Sequence, residues 1–239
     1  MDLSQPFIVE ETNDFAVVFK PPRMHSEPNK NTKQPGGEQT LLEWYAEHYT
    51  HCELLHRLDF ETNGLLLVAK NPKSYEFFKD LQDNDGIVKE YSAVCSVPNP
   101  SFVPLPGFPP SPLLPTPHST IESYFRPFGP GRKQVRPVID SSKKHEIAKD
   151  KEGYYRTEIT EVNGSVFTVR IKRGFRHQIR CHLCWIGCPI KNDPLYSNAP
   201  AIEPSSTLAL RAHALFFTDP SNGKQRECRI APLTCLKIQ

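Results

Sequence analysis

The 239-residue sequence predicts an α+β fold, with a large mixed, mostly antiparallel β-sheet flanked by helices and loops. Three observations carry that expectation. Arg156 to Val162 and Val166 to Lys172, joined through Asn163-Gly164, read as a β-hairpin. Leu65 to Ala69 is a continuous apolar run between Gly64 and Lys70-Asn71-Pro72, the pattern of a strand buried on both faces. A few stretches of helical spacing are interspersed among strand-like segments, as a mixed sheet with flanking helices requires.

In chain order, Phe7 to Glu10 and Phe15 to Phe19 read as short strands around a polar turn at Asn13-Asp14. Lys20-Pro21-Pro22 ends the second, and Arg23 to Gly37 is a polar loop without periodicity. Gln39 to Tyr49 places Leu41, Leu42, Tyr45 and Ala46 at helical spacing, with Thr40 as the cap. After the buried run, Asn71-Pro72 opens a helix over Lys73 to Gln82 whose Tyr75, Phe78 and Leu81 point inward, and Gly86 closes it. Ile87 to Val97 alternates as a strand.

Proline totals 24, about twice the average share, and much of the excess lies between Pro98 and Pro117. Such a segment can be neither helix nor central strand. Strand-like sequence on both sides makes it a surface insertion in one domain spanning 1–239, rather than a tether. Thr120 to Phe125 and Val135 to Ile139 are strands, and Ser141 to Asp150 is a polar loop. Gly174 follows the hairpin as a breaker. Arg176 to Ile186 reads as a helix with Ile179, Leu183 and Ile186 inward, and Leu208 to Thr218 as a late strand.

Composition excludes several classes. A hydrophobic fraction of 38% supports a real core and argues against wholesale disorder. No run approaches the ~18–20 apolar residues of a membrane span, and Met1 to Pro6 does not resemble a signal peptide. The expected location is the cytoplasm. Net charge is only +2, but Arg126, Arg132, Lys133 and Arg136 form one basic stretch and Arg170, Lys172, Arg173, Arg176 and Arg180 another. Concentrated cations of this kind can neutralise phosphates. The seven cysteines are expected to be reduced. Cys181, Cys184 and Cys188 with His177 and His182 invite a metal reading, yet the spacing lacks the second pair of a structural zinc site. Buried core thiols and no metal are expected.

The chemistry-bearing segment is His56-Arg57-Leu58-Asp59-Phe60-Glu61-Thr62-Asn63-Gly64, which puts a charged pair on a polar turn braced by the buried strand that follows. Arg176 and Arg180 lie four apart on the expected helix, where like charges repel unless an anion sits opposite. Arg180, next to the apolar stripe, should be partly buried and in need of a partner, for which Asp59 is a candidate.

The segment His56 to Ala69 resembles the HRLD-x-x-TSGLLL-x-AK signature of the RluA-type RNA pseudouridine synthases. Further blocks follow in that family's order. Lys89-Glu90-Tyr91-Ser92-Ala93 is similar to its K-x-Y-x-A strand, and Gly174 to Leu183 to its GR-x-HQIR-x-HL block. Ile186 to Ile190 with Asp193 to Tyr196, Leu210 to Phe217, and the opening Phe7 to Pro22 match as well. Asn63 replaces a Ser, Phe175-Arg176 an Arg-Thr pair, and Asn192 a Gly; none of these removes a catalytic group.

The resemblance implies the pseudouridine synthase fold and isomerisation of uridine to pseudouridine in RNA, either rRNA or tRNA. It implies Asp59 as the essential carboxylate and Arg180 as its ion-pair partner. Arg57 would fill the space left by the flipped base, and Tyr91 would pack against that base and act in removal of its C5 proton. His56 and His177 would be structural. No cofactor or metal is implied, and a monomer is expected. Because the matching blocks begin within the first ten residues, a catalytic domain without an S4 RNA-binding segment is expected. RNA selection would then fall to the Arg126 to Arg136 stretch and the proline-rich insertion. The competing expectations are a catalytically inactive RNA-binding protein of the same fold and a cysteine/histidine metalloprotein.

Overall fold

A strand with no polar face organises the N-terminal part of the chain. In the computed structural model, β4 (Asn63–Ala69) is buried at every residue, as its unbroken apolar run requires. The structure describes residues 2–29, 32, 37–47, 49, 51–96, 105–112, 116–139, 147, 154–197 and 206–234. The expected loop over Ser141 to Asp150 lies, apart from Ile147, outside them, as do parts of the proline-rich segment. Two units are present: Met1–Tyr91 with Arg211–Pro232, and Ser92–Leu210 with Leu233–Gln239.

In the first unit β1 (Phe7–Glu11) pairs antiparallel with β2 (Phe15–Lys20), and β2 pairs antiparallel with β4. On its other side β4 runs parallel to β10 (Leu210–Thr218) through Asn63 and Gly64. Farther along, Val68 and Ala69 pair with the two-residue strand β3 (Glu53–Leu54). β11 (Gln225–Arg229) lies antiparallel on β10. The sheet is thus mixed and mostly antiparallel. Phe15, Val17, Leu65, Leu67, Phe78 and Phe217 form its core on one face.

Helix α1 (Leu41–Ala46) begins at Thr40, whose hydroxyl accepts from the Glu43 amide while the Glu43 carboxylate accepts from the Thr40 amide. Helix α2 (Pro72–Asp83) is capped by Asn71, and its Phe78 is buried with Tyr75 and Leu81 packed beside the same core. β5 (Val88–Val94) carries the chain from the first unit into the second, which also holds β9 (Val166–Ile171).

The second unit continues in the order β9, β8 (Tyr155–Asn163), β6 (Thr120–Phe128), β7 (Gln134–Val138), and each of these strands is antiparallel to its neighbour. In the β8–β9 hairpin Asn163 pairs with Val166, so the turn is Gly164-Ser165, one residue later than the sequence indicated. Gly164 supplies the positive φ of +59°.

Helix α3 (Gln178–Trp185) departs most from expectation. It starts two residues later than predicted, because His177 has a φ of +58°, a left-handed conformation that no α-helix interior admits. Arg176 is therefore outside the helix and exposed, not stacked on Arg180. All eight helix residues are buried, so α3 is a core helix rather than an amphipathic one. Its polar side chains find partners: Gln178 Nε2 donates to Arg156 O at 2.8 Å, and His182 lies between the Thr157 and Ser123 hydroxyls at 2.8 and 2.9 Å. Cys181 and Cys184 are core thiols, as expected, packed with Phe125, Val135, Tyr155 and Tyr196.

Candidate active site

Asp59 sits on the turn between β3 and β4, and the turn is held from both sides within the first unit. The Thr62 amide donates to Asp59 O at 3.0 Å, closing the turn on itself. The Arg23 amide donates to Phe60 O at 2.8 Å, and the His25 and Phe60 rings lie 4.6 Å apart. The chain then enters β4 at Gly64. With φ at +130° and Ala212 O only 2.2 Å from where a Cβ would stand, position 64 admits no side chain. Asn63, which replaces a Ser of the signature, accepts from Arg211 Nε at 2.7 Å and ties this entry to β10.

Lys20 is the participant that sequence reasoning missed. It is fully buried at the end of β2, and its Nζ donates to Pro21 O, Met24 O and Phe60 O at 2.9, 2.8 and 3.3 Å. Burial pushes its ammonium down to about 7, against the charges of Asp59 and Glu61, which favour the cation. The available signal was a lysine closing the apolar run Phe15 to Phe19, a place where a charge is kept only if something pairs with it.

Tyr91, at the end of the first unit's part of β5, is buried, and both that burial and the nearby Asp59 charge push its phenol up. It therefore stays a neutral phenol. Arg57 is exposed, and its guanidinium lies 3.4 Å from the Glu27 carboxylate. His56 accepts the Leu67 amide through Nε2 at 3.3 Å, and burial, then the charge of Lys89, lowers its ring to about 3. It is neutral and structural.

Arg180 belongs to the second unit. Its Nε and Nη2 donate to Asp193 Oδ2 and Oδ1 at 2.7 and 2.8 Å, a bidentate pair with side chains 3% and 0% exposed. Asp193 Oδ1 also accepts the Leu195 and Tyr196 amides. Sequence reasoning did not name Asp193 as a partner. Asn192 before it has φ +61°, the left-handed conformation expected where the signature has Gly.

Of the basic stretch expected to select RNA, Arg132 and Lys133 are exposed but Arg136 is not. Arg136 donates to Pro106 O, Val135 O and Gln134 Oε1, with its guanidinium 4.4 Å from the Phe108 ring centre and 4.1 Å from that of Phe128. Trp185 Nε1 donates to Pro109 O and Pro110 O at 3.0 and 3.1 Å. Arg136 thus fastens the middle of the proline-rich segment to β7 within the second unit, and is buried rather than placed to meet a phosphate. Arg176 reaches the tip of the β6–β7 hairpin, donating to Arg132 O at 2.6 Å. Among the described residues, no group of three or more His, Cys, Asp or Glu side chains could hold a metal ion.

The family model described as RNA pseudouridylate synthase matches residues 14–185. Ribosomal large subunit pseudouridine synthase D of Haemophilus ducreyi is 26% identical over 95% of this chain and 66% of its own length. An uncharacterized RNA pseudouridine synthase of Bacillus subtilis is 27% identical over 98% of this chain and 70% of its own length. The chain spans between 39% and 70% of the length of such curated relatives. Among solved structures, human RNA pseudouridylate synthase domain containing 1 superposes with a TM-score of 0.67 at 18% identity, covering 100% of this chain and 88% of that one. That likeness shows the α+β pseudouridine synthase fold. The family match covers well over half of the chain, and both of these bacterial relatives are named as pseudouridine synthases: the chain belongs to the RNA pseudouridylate synthase family, of the RluA type.

Proposed function

We propose that the protein isomerises specific uridines in RNA to pseudouridine, with Asp59 as the essential carboxylate. The observation that carries the reading is a carboxylate on a turn held from both sides, flanked within one unit by a buried lysine, Lys20, and a buried phenol, Tyr91. Relatives named for the large ribosomal subunit favour rRNA as the substrate, with tRNA the alternative. No helix among the described residues is long and apolar enough to cross a membrane. We take the protein to act as a cytoplasmic monomer whose residues 1–239 work as one catalytic domain.

In the reaction the N1–C1′ bond breaks, the uracil turns, and C5 joins C1′; the C5 proton is lost and N1 gains one. Oxidation state does not change, so the chemistry calls for no redox cofactor. An ionised Asp59 can stabilise or trap an oxocarbenium-like C1′, attack uracil C6, or take a ribose proton. Arg180 is proposed as its ion-pair partner, held to its position by Asp193. Arg57 is proposed to occupy the stack vacated by the flipped base, a step that costs a few kcal/mol. The raised phenol of Tyr91 favours packing against the flipped base over service as a phenolate base. Exposure of unmodified RNA to the protein, followed by digestion to nucleosides, should give pseudouridine at the expense of uridine. The Asp59→Asn variant should give none.

A further inference from the structure

We propose that Ser26 is a positioning residue for the reaction, setting the backbone on which Asp59 stands; this rests on the reading of Asp59 as the essential carboxylate. Ser26 is 4% exposed, and its hydroxyl makes two hydrogen bonds to one residue, Leu58. It donates to Leu58 O at 3.0 Å and accepts the Leu58 amide at 3.1 Å. A side chain thereby does what a neighbouring strand would do, at the residue immediately before Asp59.

The clasp is itself fixed. The first two amides of α1 donate to the carbonyls on either side of the Ser26 backbone, Leu41 N to His25 O at 2.9 Å and Leu42 N to Ser26 O at 3.1 Å. A capped helix, a buried serine and the Asp59 turn therefore form one connected chain of hydrogen bonds. On the far side of Asp59, Phe60 O receives the Arg23 amide and Lys20 Nζ. With Asp59 O taken by Thr62, the carbonyls of residues 58, 59 and 60 are all committed, which fixes the backbone from which the Asp59 side chain departs. Both bonds go to backbone atoms of Leu58, so they act on the turn and not on the Asp59 carboxylate.

The test compares turnover and RNA binding for the intact protein, Ser26→Ala, Ser26→Thr, Asp59→Asn and Ser74→Ala, with folding read by circular dichroism. Ser74 is also buried and bonds Asn71 O at 2.9 Å, but on α2, so its variant loses a comparable hydroxyl away from Asp59. Ser26→Ala should lower kcat by about tenfold or more, with KM and RNA affinity unchanged. Ser26→Thr, which keeps the oxygen, should recover most of that loss, and Ser74→Ala should turn over as the intact protein does. Wild-type turnover in folded Ser26→Ala with Asp59→Asn dead would overturn this inference alone. An equal loss in Ser74→Ala would also overturn it. An intact protein that binds RNA but releases no product would overturn the inference together with the function it rests on.

Discussion

Arg180 and Asp193 form a buried, bidentate ion pair at 2.7 and 2.8 Å, and the same carboxylate caps the turn through the Leu195 and Tyr196 amides. A cation this deep is kept only because its charge is matched and its N–H groups are used. The pair explains how α3 carries an arginine in an otherwise enclosed position. Asp193→Asn should therefore destabilise the protein, by up to roughly 3–5 kcal/mol, because it removes the charge that takes two N–H groups of the buried guanidinium. The double variant Arg180→Met, Asp193→Leu should lose less than Asp193→Asn. Denaturant unfolding of the three proteins checks this, and a double variant less stable than the single one would contradict it.

The fates of Arg136 and Lys133 should separate. Arg136 is buried against Phe108 and Phe128 with three acceptors, so Arg136→Met should cost roughly 2–4 kcal/mol of stability, in line with buried bonds from a charged donor. Lys133 is exposed at the hairpin tip, and Lys133→Ala should leave stability within about 0.5 kcal/mol. If Lys133 meets a phosphate, the slope of log affinity against log salt should shrink by about one in its variant. Unfolding curves and RNA binding across a salt series give both readouts.

The acid side of the stability profile should carry the mark of His182. Burial lowers its pKa to about 3, whereas in the unfolded chain it takes a proton near 6.5. Between those values the unfolded state binds the extra proton, so stability is full above about pH 6.5 and is lost as pH falls below it. Each pH unit removes up to roughly 1.4 kcal/mol, or about 2 kcal/mol by pH 5. His56, also lowered to about 3 by burial, adds to the decline in the same direction. Thermal midpoints should fall between about pH 7.5 and about pH 5, and fall less steeply in His182→Gln. A parallel decline in the variant would contradict the assignment.

Much of the first unit was legible because its signals are local. Leu65 to Ala69 is apolar at every position and became a strand buried at every position, and Thr40 sits where a cap must sit. What escaped notice depends on partners distant in sequence. Lys20 and Phe60 meet across 40 residues, and Ser26 and Leu58 across 32. Nothing in the polar loop Arg23 to Gly37 marks one serine as buried. α3 read as amphipathic because Gln178, Arg180 and His182 are polar, yet each is enclosed with a partner from another element. β11, Gln225–Arg229, is polar at most positions and is a strand because β10 offers it an edge. The proline-rich segment showed where no helix or strand could form, while its docking through Arg136 and Trp185 needed the folded chain.

The most direct measurement is tritium release from RNA labelled at uridine C5, taken from cells lacking the protein so that its target sites are unmodified. The intact protein should release tritium to water and Asp59→Asn should release none while still binding the RNA. Undiminished release by Asp59→Asn, or RNA binding by the intact protein with no release, would contradict the assignment of Asp59 as the carboxylate of an isomerase.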